Sequence, residues 1–405
     1  MSKIVMKFGG TSVATTEKIV NVAKRIRNVK DKGHEIVVVV SAMGKTTDEL
    51  ASLANDLSEN PTKREMDMLL STGEQVTMAL LAIKLNALGI DSISLTGWQA
   101  GLQTDEVHRN ARVDNMDASK VLKLLAENKV VIVAGFQGVT SDNEITTLGR
   151  GGSDTTAVAI AASIEAEICD IYTDVDGVFT SDPRFVTNAR KLEQLEYDEM
   201  LELANLGAGV LHPRAVEFAK NYKIPLRVRS SYNDEEGTIL KEEVDLENNL
   251  VVRGVAFESD IVRLTIEYDI PFNGSLASIF TTLAANHINV DIIVQSIVDG
   301  VRPAVSFSIK KESLAEAITV LESNKQVLGF TFADFEVGLA KVSIVGSGMV
   351  SNPGVAAQMF DRLRKENIPV KMVSTSEIKV SVVVPQNEMI HAANALHDEF
   401  GLALI

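Results

Sequence analysis

Residues 5–13 of this 405-residue chain read VMKFGGTSV, and this stretch decides the predicted fold. An apolar strand ends in Lys7, two glycines and two hydroxyl residues follow, and a helical apolar face comes next, formed by Ile19, Val22, Ala23 and Ile26. Glycines let backbone N–H groups approach a phosphate, and a helix start adds partial positive charge. Because Lys7 precedes the glycines, the pattern differs from the common P-loop. It predicts an anion-binding βα unit, although an ordinary tight βα turn uses the same glycines.

A second glycine-rich turn, LGRGGSD, covers residues 148–154. Its glycines permit close approach of the backbone, and Arg150 can grip a carboxylate or a phosphate in a fork. Ser153 stands where a helix N-cap is expected, and Asp154 falls in the first helical turn. Two roles stay open for Asp154, which either compensates the helix dipole or holds Lys7 or a phosphate-bound metal.

A third segment, ICDIYTDVDGVFTSDPR at residues 168–184, begins as an apolar strand and ends in an acidic turn. The turn lacks the third acidic position and the closing glutamate of a calcium-binding EF-hand. Asp174 and Arg184 instead follow the carboxyl end of a strand, where open α/β sheets bind ligands. The segment therefore predicts the edge of a nucleotide site.

Together with STGE at residues 71–74, these segments resemble the amino-acid kinase family, and within it the aspartokinases, over the whole chain. The resemblance implies transfer of the γ-phosphoryl group of ATP to the side-chain carboxylate of L-aspartate. The product would be 4-phospho-L-aspartate, the first step toward lysine, threonine and methionine. The implied cofactors are ATP and Mg²⁺, with the metal carried by ATP and no protein side chain assigned as its ligand.

The resemblance also implies a set of site residues. The catalytic pair would be Lys7 and Asp154. Aspartate would be held by Ser41, Thr47, Glu74, Phe136, Arg150, Gly151, Gly152 and Ser153, with Arg150 on a carboxylate and Glu74 on the α-ammonium. The nucleotide would contact Lys7, Gly9, Gly10, Thr173, Asp174, Phe179 and Arg184. One departure concerns Gly209, which stands where many aspartokinases carry a lysine that reaches the nucleotide phosphates.

The domain organisation is predicted from apolar runs and a repeat. Runs such as 36–40 and 130–134 indicate a mainly parallel sheet covered by helices on both faces, which we assign to a kinase domain at residues 1–240. Residues 241–259 are predicted to be a connector, although a solvated surface helix is an equal alternative for its charged part. The strand around 251–257 is a candidate member of the second repeat described next.

An internal repeat follows the connector. An offset of 80 positions (354 − 274 = 80) pairs Gly274 with Gly354, and the same offset pairs Phe280 with Phe360, Leu283 with Leu363, Ile288 with Ile368 and Val290 with Val370. Each copy has the βαββαβ order of a ferredoxin-like unit. The copies, at 260–335 and 336–405, resemble tandem ACT domains, with the first inserted into the second if the strand at 251–257 joins it.

The resemblance to ACT domains implies an effector site in the first copy. It would contain Gly274, Ser275, Leu276, Ala277, Asn289, Asp291 and Gln295, with lysine, threonine or both as effectors. Turn chemistry before a strand explains Asn289 and Asp291 equally well. The exposed sheet edges predict a homodimer or a higher oligomer formed through these domains.

Composition excludes several classes of function. A net charge of −16 disfavours binding to nucleic acid or to anionic membranes. The single cysteine, Cys169, cannot form an internal disulfide, and the histidines show no metal-ligand spacing. No secretory signal or membrane-spanning run is expected, so the predicted location is the cytoplasm.

Two other functions remain as alternatives. The first is a kinase of the same fold that phosphorylates another carboxylate, such as an acetylglutamate kinase. Glu74 disfavours it, because an acylated amine needs no carboxylate partner. The second is a non-catalytic amino-acid sensor, which Lys7, Arg150 and Asp154 disfavour and Gly209 favours.

Overall fold

The computed structural model describes residues 2–205, 210–242, 250–268, 276–298 and 302–403. These residues divide into two compact units. The first unit contains residues 2–179, 191–205 and 210–242. The second contains 180–190 and the described residues from 250 onward. Gly209 lies outside the described residues, so its departure from the family pattern stays a sequence observation.

The first unit is built on an eight-stranded sheet of order β10-β12-β11-β9-β1-β2-β6-β3. The run from β11 to β3 is parallel, whereas β12 is antiparallel to β11. A smaller sheet has the order β5-β4-β7-β8. The strands are β1 (Lys3–Phe8), β2 (Glu35–Val40), β3 (Ser92–Leu95), β4 (Leu102–Thr104), β5 (Val113–Met116), β6 (Val130–Ala134), β7 (Gln137–Val139), β8 (Ile145–Thr147), β9 (Ile168–Thr173), β10 (Gln194–Glu196), β11 (Leu226–Ser230) and β12 (Thr238–Lys241). The predicted connector thus begins on the last residue of β12.

Helices cover both faces of the large sheet. The helices of the first unit are α1 (Thr16–Lys30), α2 (Thr46–Leu57), α3 (Lys63–Leu70), α4 (Thr72–Ala87), α5 (Ser119–Ala126), α6 (Gly152–Ser163), α7 (Tyr197–Asn205) and α8 (Pro213–Tyr222). Helix α1 buries the four residues of the predicted apolar face, which pack with α4 on one side of the sheet. Helix α6 contacts β1, β2 and β9. The predicted fold class, a mainly parallel sheet between helices, is confirmed.

The helical stretch Lys63–Ala87, which contains α3 and α4, is by length and composition alone apolar enough to cross a membrane. Half of its most apolar window is buried inside the protein. Leu81 and Leu85 pack in the core against the first sheet. The stretch therefore behaves as a core helix of the first unit.

The second unit contains a six-stranded antiparallel sheet of order β14-β15-β13-β16-β18-β17. Its strands are β13 (Gly254–Glu267), β14 (Ile293–Val298), β15 (Arg302–Lys310), β16 (Phe332–Val345), β17 (Met372–Thr375) and β18 (Lys379–Pro385). Its helices are α9 (Leu276–Ala285), α10 (Leu314–Ser323), α11 (Lys325–Leu328), α12 (Val355–Lys365) and α13 (Met389–Glu399). From β13 to β16 the first copy has the predicted βαββαβ order, whereas the second copy runs from β16 to α13 as βαββα.

Two long strands join the repeats. The first part of β13, from Gly254 to Glu258, pairs with the last part of β16. On its other side β16 pairs with β18, and β18 pairs with β17. After a break in register between Glu258 and Ile261, the rest of β13 pairs with β15 and the first part of β16. The second copy therefore takes its fourth strand from upstream of the first copy, so the first copy is an insertion.

The cores of the two copies match the repeat read from the sequence. Leu283 and Ile288 are buried in one cluster, and Leu363 and Ile368 are buried in the other. Val252 and Val255, from upstream of the first copy, belong to the core of the second. The boundaries at 335/336 and 259/260 remain predictions.

Residues 180–190 form a separate segment of the second unit. The Thr180 hydroxyl lies 2.8 Å from Nε2 of buried His397, and the Val255 amide donates to the Thr180 carbonyl at 2.7 Å. Val186 is buried in the core of the second repeat. This segment interrupts residues 1–240, which we predicted to be one kinase domain.

We expect a fragment of residues 336–405 to fold poorly, because it lacks the strand at 254–258 and exposes one edge of β16. Fusing residues 250–258 to it through a flexible linker should restore a cooperative thermal transition, measured by circular dichroism. The control is a fragment of residues 260–340, which contains the four strands of the first copy. Equally cooperative unfolding of 336–405 with and without the added strand would contradict the insertion topology.

Candidate active site

The first glycine turn holds the carboxyl end of β1 close to its neighbours. The Gly9 amide donates to the Tyr172 carbonyl at 3.2 Å, and Gly10 begins a short 3-10 turn before α1. A Cβ on Gly10 would lie 2.9 Å from the Ala42 carbonyl oxygen and 3.2 Å from that of Gly44. The turn thus needs glycine because the 42–44 backbone packs directly on it.

Lys7 and Asp154 form an ion pair at the same edge of the sheet. Lys7 Nζ lies 2.6 Å from Asp154 Oδ1, and each side chain is about nine-tenths buried, at 11% and 12% exposure. Lys7 is on β1, and Asp154 is in the first turn of α6. Because an ammonium has three donors, Lys7 can hold Asp154 and an anion together.

The second glycine turn leads into α6 through two left-handed residues, Gly149 at φ 75° and Gly151 at φ 70°. Gly151 is the N-cap, so the prediction that Ser153 caps the helix is wrong, and Ser153 lies in the first turn. A Cβ on Gly151 would lie 2.1 Å from the Cβ of His212. The left-handed cap and the close histidine both favour glycine, whereas a serine cap needs extended backbone.

These turns border a cavity of about 310 Å³. It brings together residues from both glycine turns, from β1 and from the 41–47 loop. Its lining consists of Lys7, Gly10, Ser41, Ala42, Gly44, Thr47, Glu74, Phe136, Gly149, Gly151, Gly152, Ser153 and Asp154. Sequence reasoning missed Ala42, Gly44 and Gly149 as lining residues. Ser41 and Thr47 bracket the first two, so the whole loop could have been predicted from them.

Glu74 is the buried acid of the cavity, at 2% exposure on α4. Its Oε1 accepts a hydrogen bond from the Ala42 amide at 3.1 Å, while Oε2 has no partner among the described residues. Burial raises the pKa of this carboxyl to about 8. A buried carboxylate of this kind calls for a cation, since an unpaired charge in a dry site is costly.

Arg150 does not line this cavity. Its side chain is exposed and forms no ion pair within the described ranges. It stands on the same turn as Gly149 and Gly151, which do line the cavity. The predicted contact between Arg150 and a carboxylate remains a prediction.

The predicted nucleotide residues are divided between the two units, with Arg184 in the second and the others in the first. Thr173 ends β9, and its hydroxyl donates to the exposed Asp174 carboxylate at 3.1 Å. Phe179 is partly buried and forms an isolated bridge with Lys191. Arg184 belongs to the second unit, where it lies 2.6 Å from Asp182. That guanidinium lowers the pKa of Asp182 through its hydrogen bonds.

The predicted effector residues lie in the first repeat. Leu276 and Ala277 begin α9, and Asn289 and Gln295 are exposed. Asp291 pairs with Lys341 at 2.5 Å, and Lys341, at 8% side-chain exposure, also pairs with Glu258 at 3.2 Å. Gly274 and Ser275 lie outside the described residues.

The described part of the chain contains no group of three or more His, Cys, Asp or Glu side chains that could hold a metal ion. Asp154 and Glu74 are the carboxylates of the cavity, and Lys7 already pairs with Asp154. This donor set fits a metal that arrives bound to phosphate oxygens, with Lys7 and the glycine-turn amides facing the same phosphates.

Comparison with known families identifies the family of this chain. A model of the amino acid kinase family matches residues 2–230, more than half of the chain, and an ACT domain model matches residues 342–400. The chain belongs to the amino acid kinase family. Within that family it groups with the aspartokinases. Aspartokinase from Bacillus sp. (strain MGA3) is 63% identical over 404 residues, covering 100% of this chain and 98% of that one. Aspartokinase 2 of Bacillus subtilis (strain 168) is 60% identical over 403 residues, with the same coverage.

Solved structures of other kinases in the family share this architecture. E. coli aspartokinase III in complex with aspartate and ADP has a TM-score of 0.81 and 26% identity, covering 98% of this chain and 99% of that one. The same enzyme in complex with lysine and aspartate has a TM-score of 0.78 at 26% identity, with the same coverage. The predicted resemblance is confirmed.

The pKa of Glu74 gives this kinase a pH-dependent stability. Because the pKa is raised to about 8 in the folded state from its ordinary value of 4.5, the unfolded chain loses this proton first as pH rises. Stability should therefore fall between about pH 4.5 and 8. Glu74→Gln removes that loss, so its stability relative to wild type should rise across this window by on the order of a few kcal/mol.

Chemical denaturation at pH 5 and pH 8 tests this expectation. Glu49→Gln is the control, since Glu49 is exposed on α2 and its substitution should have little effect on the pH dependence. A stability difference between Glu74→Gln and wild type that stays constant with pH would show that Glu74 is ionised in the folded protein.

Proposed function

We propose that this chain transfers the γ-phosphoryl group of ATP to the side-chain carboxylate of L-aspartate and forms 4-phospho-L-aspartate. The observation that carries the proposal is one cavity that holds both the Lys7–Asp154 pair and the buried Glu74. The relatives support it, because two of them at 60–63% identity are named aspartokinase. The E. coli aspartokinase III structure, which contains aspartate and ADP, supports the substrate pair.

The charges of the cavity suit an amino acid with two carboxylates. Glu74, with its unpartnered oxygen, would receive the α-ammonium. The backbone N–H groups at the start of α6 and the free Arg150 would receive the α-carboxylate. This arrangement leaves the side-chain carboxylate for the reaction. No general base is needed, because that carboxylate is already ionised near neutral pH.

Lys7 would steady the transferring phosphoryl group. Phosphoryl transfer depends mainly on positioning and on neutralising charge, so a fixed ammonium stabilises the transition state. Asp154 holds that ammonium in place, as the 2.6 Å contact indicates. Mg²⁺ bound to the β- and γ-phosphates would supply further charge neutralisation. Gly9, Gly10, Thr173, Asp174 and Phe179 stay the proposed nucleotide contacts, and Arg184 and a cytoplasmic location stay predictions.

The alternatives are separated by a substrate panel. Wild-type protein with ATP and Mg²⁺ should yield a hydroxylamine-trapped acyl phosphate with aspartate, and not with N-acetylglutamate or glutamate. Trapping with N-acetylglutamate alone would favour the related kinase, and no trapping with any carboxylate would favour a sensor. Glu74→Gln should weaken aspartate binding by roughly 1.5–3 kcal/mol, since it removes a charged partner of the ammonium.

Lys7→Ala tests the catalytic assignment. We expect the turnover number with aspartate to fall by on the order of a hundredfold or more, because a preorganised charge is lost. Lys129→Ala is the control, as it removes a surface ion pair with Glu127 and should leave turnover unchanged. Near-normal turnover of a folded Lys7→Ala protein would contradict the assigned role.

Regulation by lysine, threonine or both is the second part of the proposal. Neither amino acid has the side-chain carboxylate that the active site phosphorylates, so inhibition would require a separate site. The ACT domain match and the lysine present in the E. coli structure support this idea. In the first repeat, Asp291 would exchange Lys341 for the ammonium of an effector. Partly exposed apolar residues on the edge strands, Ile293, Ile297 and Val373, support pairing of two copies through these domains.

Asp291→Ala should weaken inhibition while uninhibited turnover stays near the wild-type value, because Asp291 lies in the second unit and the cavity lies in the first. Inhibition curves with lysine, threonine and their mixture provide the measurement. Glu312→Ala, an exposed change in the same repeat, is the control. If neither amino acid binds the wild-type protein by calorimetry, the regulatory proposal is wrong.

A further inference from the structure

The Gly149–Gly152 turn is held by two side chains outside the cavity. On one side, Asp67 of α3 is fully buried and accepts a hydrogen bond from the Thr147 hydroxyl at 2.6 Å. On the other, Arg214 of α8 donates to the Leu148 carbonyl at 2.7 Å. Thr147 and Leu148 are the residues immediately before the turn.

Asp67 also fixes a second loop against the turn. Its carboxylate lies 2.8 Å from His108 Nδ1 and accepts from the Arg109 amide at 3.0 Å. Arg109 has a left-handed backbone, with φ 74°, which is costly for a residue with a side chain. The Arg109 carbonyl oxygen is 3.0 Å from the position that a Cβ on Gly149 would take. The strained loop therefore forms a wall of the turn, and Asp67 holds it there.

Arg214 ties the same loop to the same turn. It donates to Asn110 Oδ1 at 3.0 Å and to the Ala111 carbonyl at 2.8 Å, in addition to Leu148. Arg214 is the second residue of α8, where a positive charge opposes the helix dipole. Residues that break local backbone or helix preferences are expected at functional sites. Two such residues, the left-handed Arg109 and the basic Arg214 at a helix start, both contact this turn or the loop beside it.

We propose that Asp67 and Arg214 are positioning residues that hold the Gly149–Gly152 turn, and Arg150 on it, in the form that receives the substrate carboxylate. The inference rests on the proposed function for the identity of the substrate. Arg150 is exposed and on a turn with two left-handed glycines, so it has little local restraint of its own. Arg214 and Asp67 supply that restraint through Leu148 and Thr147, without contacting the substrate.

Arg214→Met tests the proposal through the Michaelis constants. The KM for aspartate should rise by on the order of tenfold or more, while the KM for ATP changes little, because only the aspartate turn is misplaced. Arg214→Lys should give an intermediate rise, since one ammonium cannot reach all three acceptors. Asp67→Asn should act in the same direction. Lys220→Met is the matched control, because Lys220 is on the same helix as Arg214 and the change removes only a surface ion pair with Asp198 of α7.

Hydrogen exchange gives a readout that does not depend on the substrate. The Ala111 amide donates to the Thr147 carbonyl, and the Gly152 amide donates to the Gly149 carbonyl, each at 3.0 Å. Both amides should exchange faster in Arg214→Met than in wild type or Lys220→Met. Unchanged exchange, or equal changes in KM for both substrates, would overturn the proposal. If wild type fails to phosphorylate aspartate while amide exchange rises in Arg214→Met as expected, the proposed function is wrong. The positioning role of Arg214 is then still supported.

Discussion

The Lys7–Asp154 ion pair is the contact on which the arrangement of the first unit depends. Both side chains are nearly removed from water, and separating two such charges would leave each of them buried without compensation. The pair therefore requires that the start of α6 lie over the carboxyl end of β1. Glycines make that approach possible, since a Cβ on Gly135 would lie 2.8 Å from the Ser153 Cβ. The buried ion pair and the close backbone packing therefore constrain the same edge of the sheet.

Glu74, unlike Lys7, is a buried ionisable group without an oppositely charged partner among the described residues. Lys7 has its partner within the protein, whereas Glu74 has one oxygen bonded to the Ala42 amide and the other unpartnered in the described structure. Burial raises the pKa of this carboxyl to about 8, and its backbone hydrogen bonds offset only part of that effect. A substrate ammonium would supply the missing charge, so binding should draw a proton off Glu74 at neutral pH. In a chain of net charge −16, the unpartnered oxygen of Glu74 marks a local place for a cation that the overall charge does not reveal.

Features that follow from local pattern could be predicted from the sequence. The apolar face of α1, the continuous strands at 36–40 and 130–134, and the 80-residue repeat all rest on periodicity, and each has its counterpart in the structure. The role of Asp67 could not be predicted, because its partners His108 and Thr147 are 41 and 80 positions away. Ser153 was misplaced as a helix cap because Gly151 takes that position in a left-handed conformation, next to His212, which is 61 positions away in the sequence.

The segment 180–190 belongs to the second unit, although in sequence it lies inside residues 1–240. Phe179 and Lys191 face each other in a bridge of the first unit, but everything between them belongs to the second. The segment is held there by Thr180, by Val186 in the core of the second repeat, and by Arg190, which donates to the Ala403 carbonyl at 3.1 Å. A proposed nucleotide residue, Phe179, is thus covalently bonded to a residue anchored among the repeats. The chain therefore passes directly from a proposed nucleotide contact into a segment that is packed in the core of the second repeat.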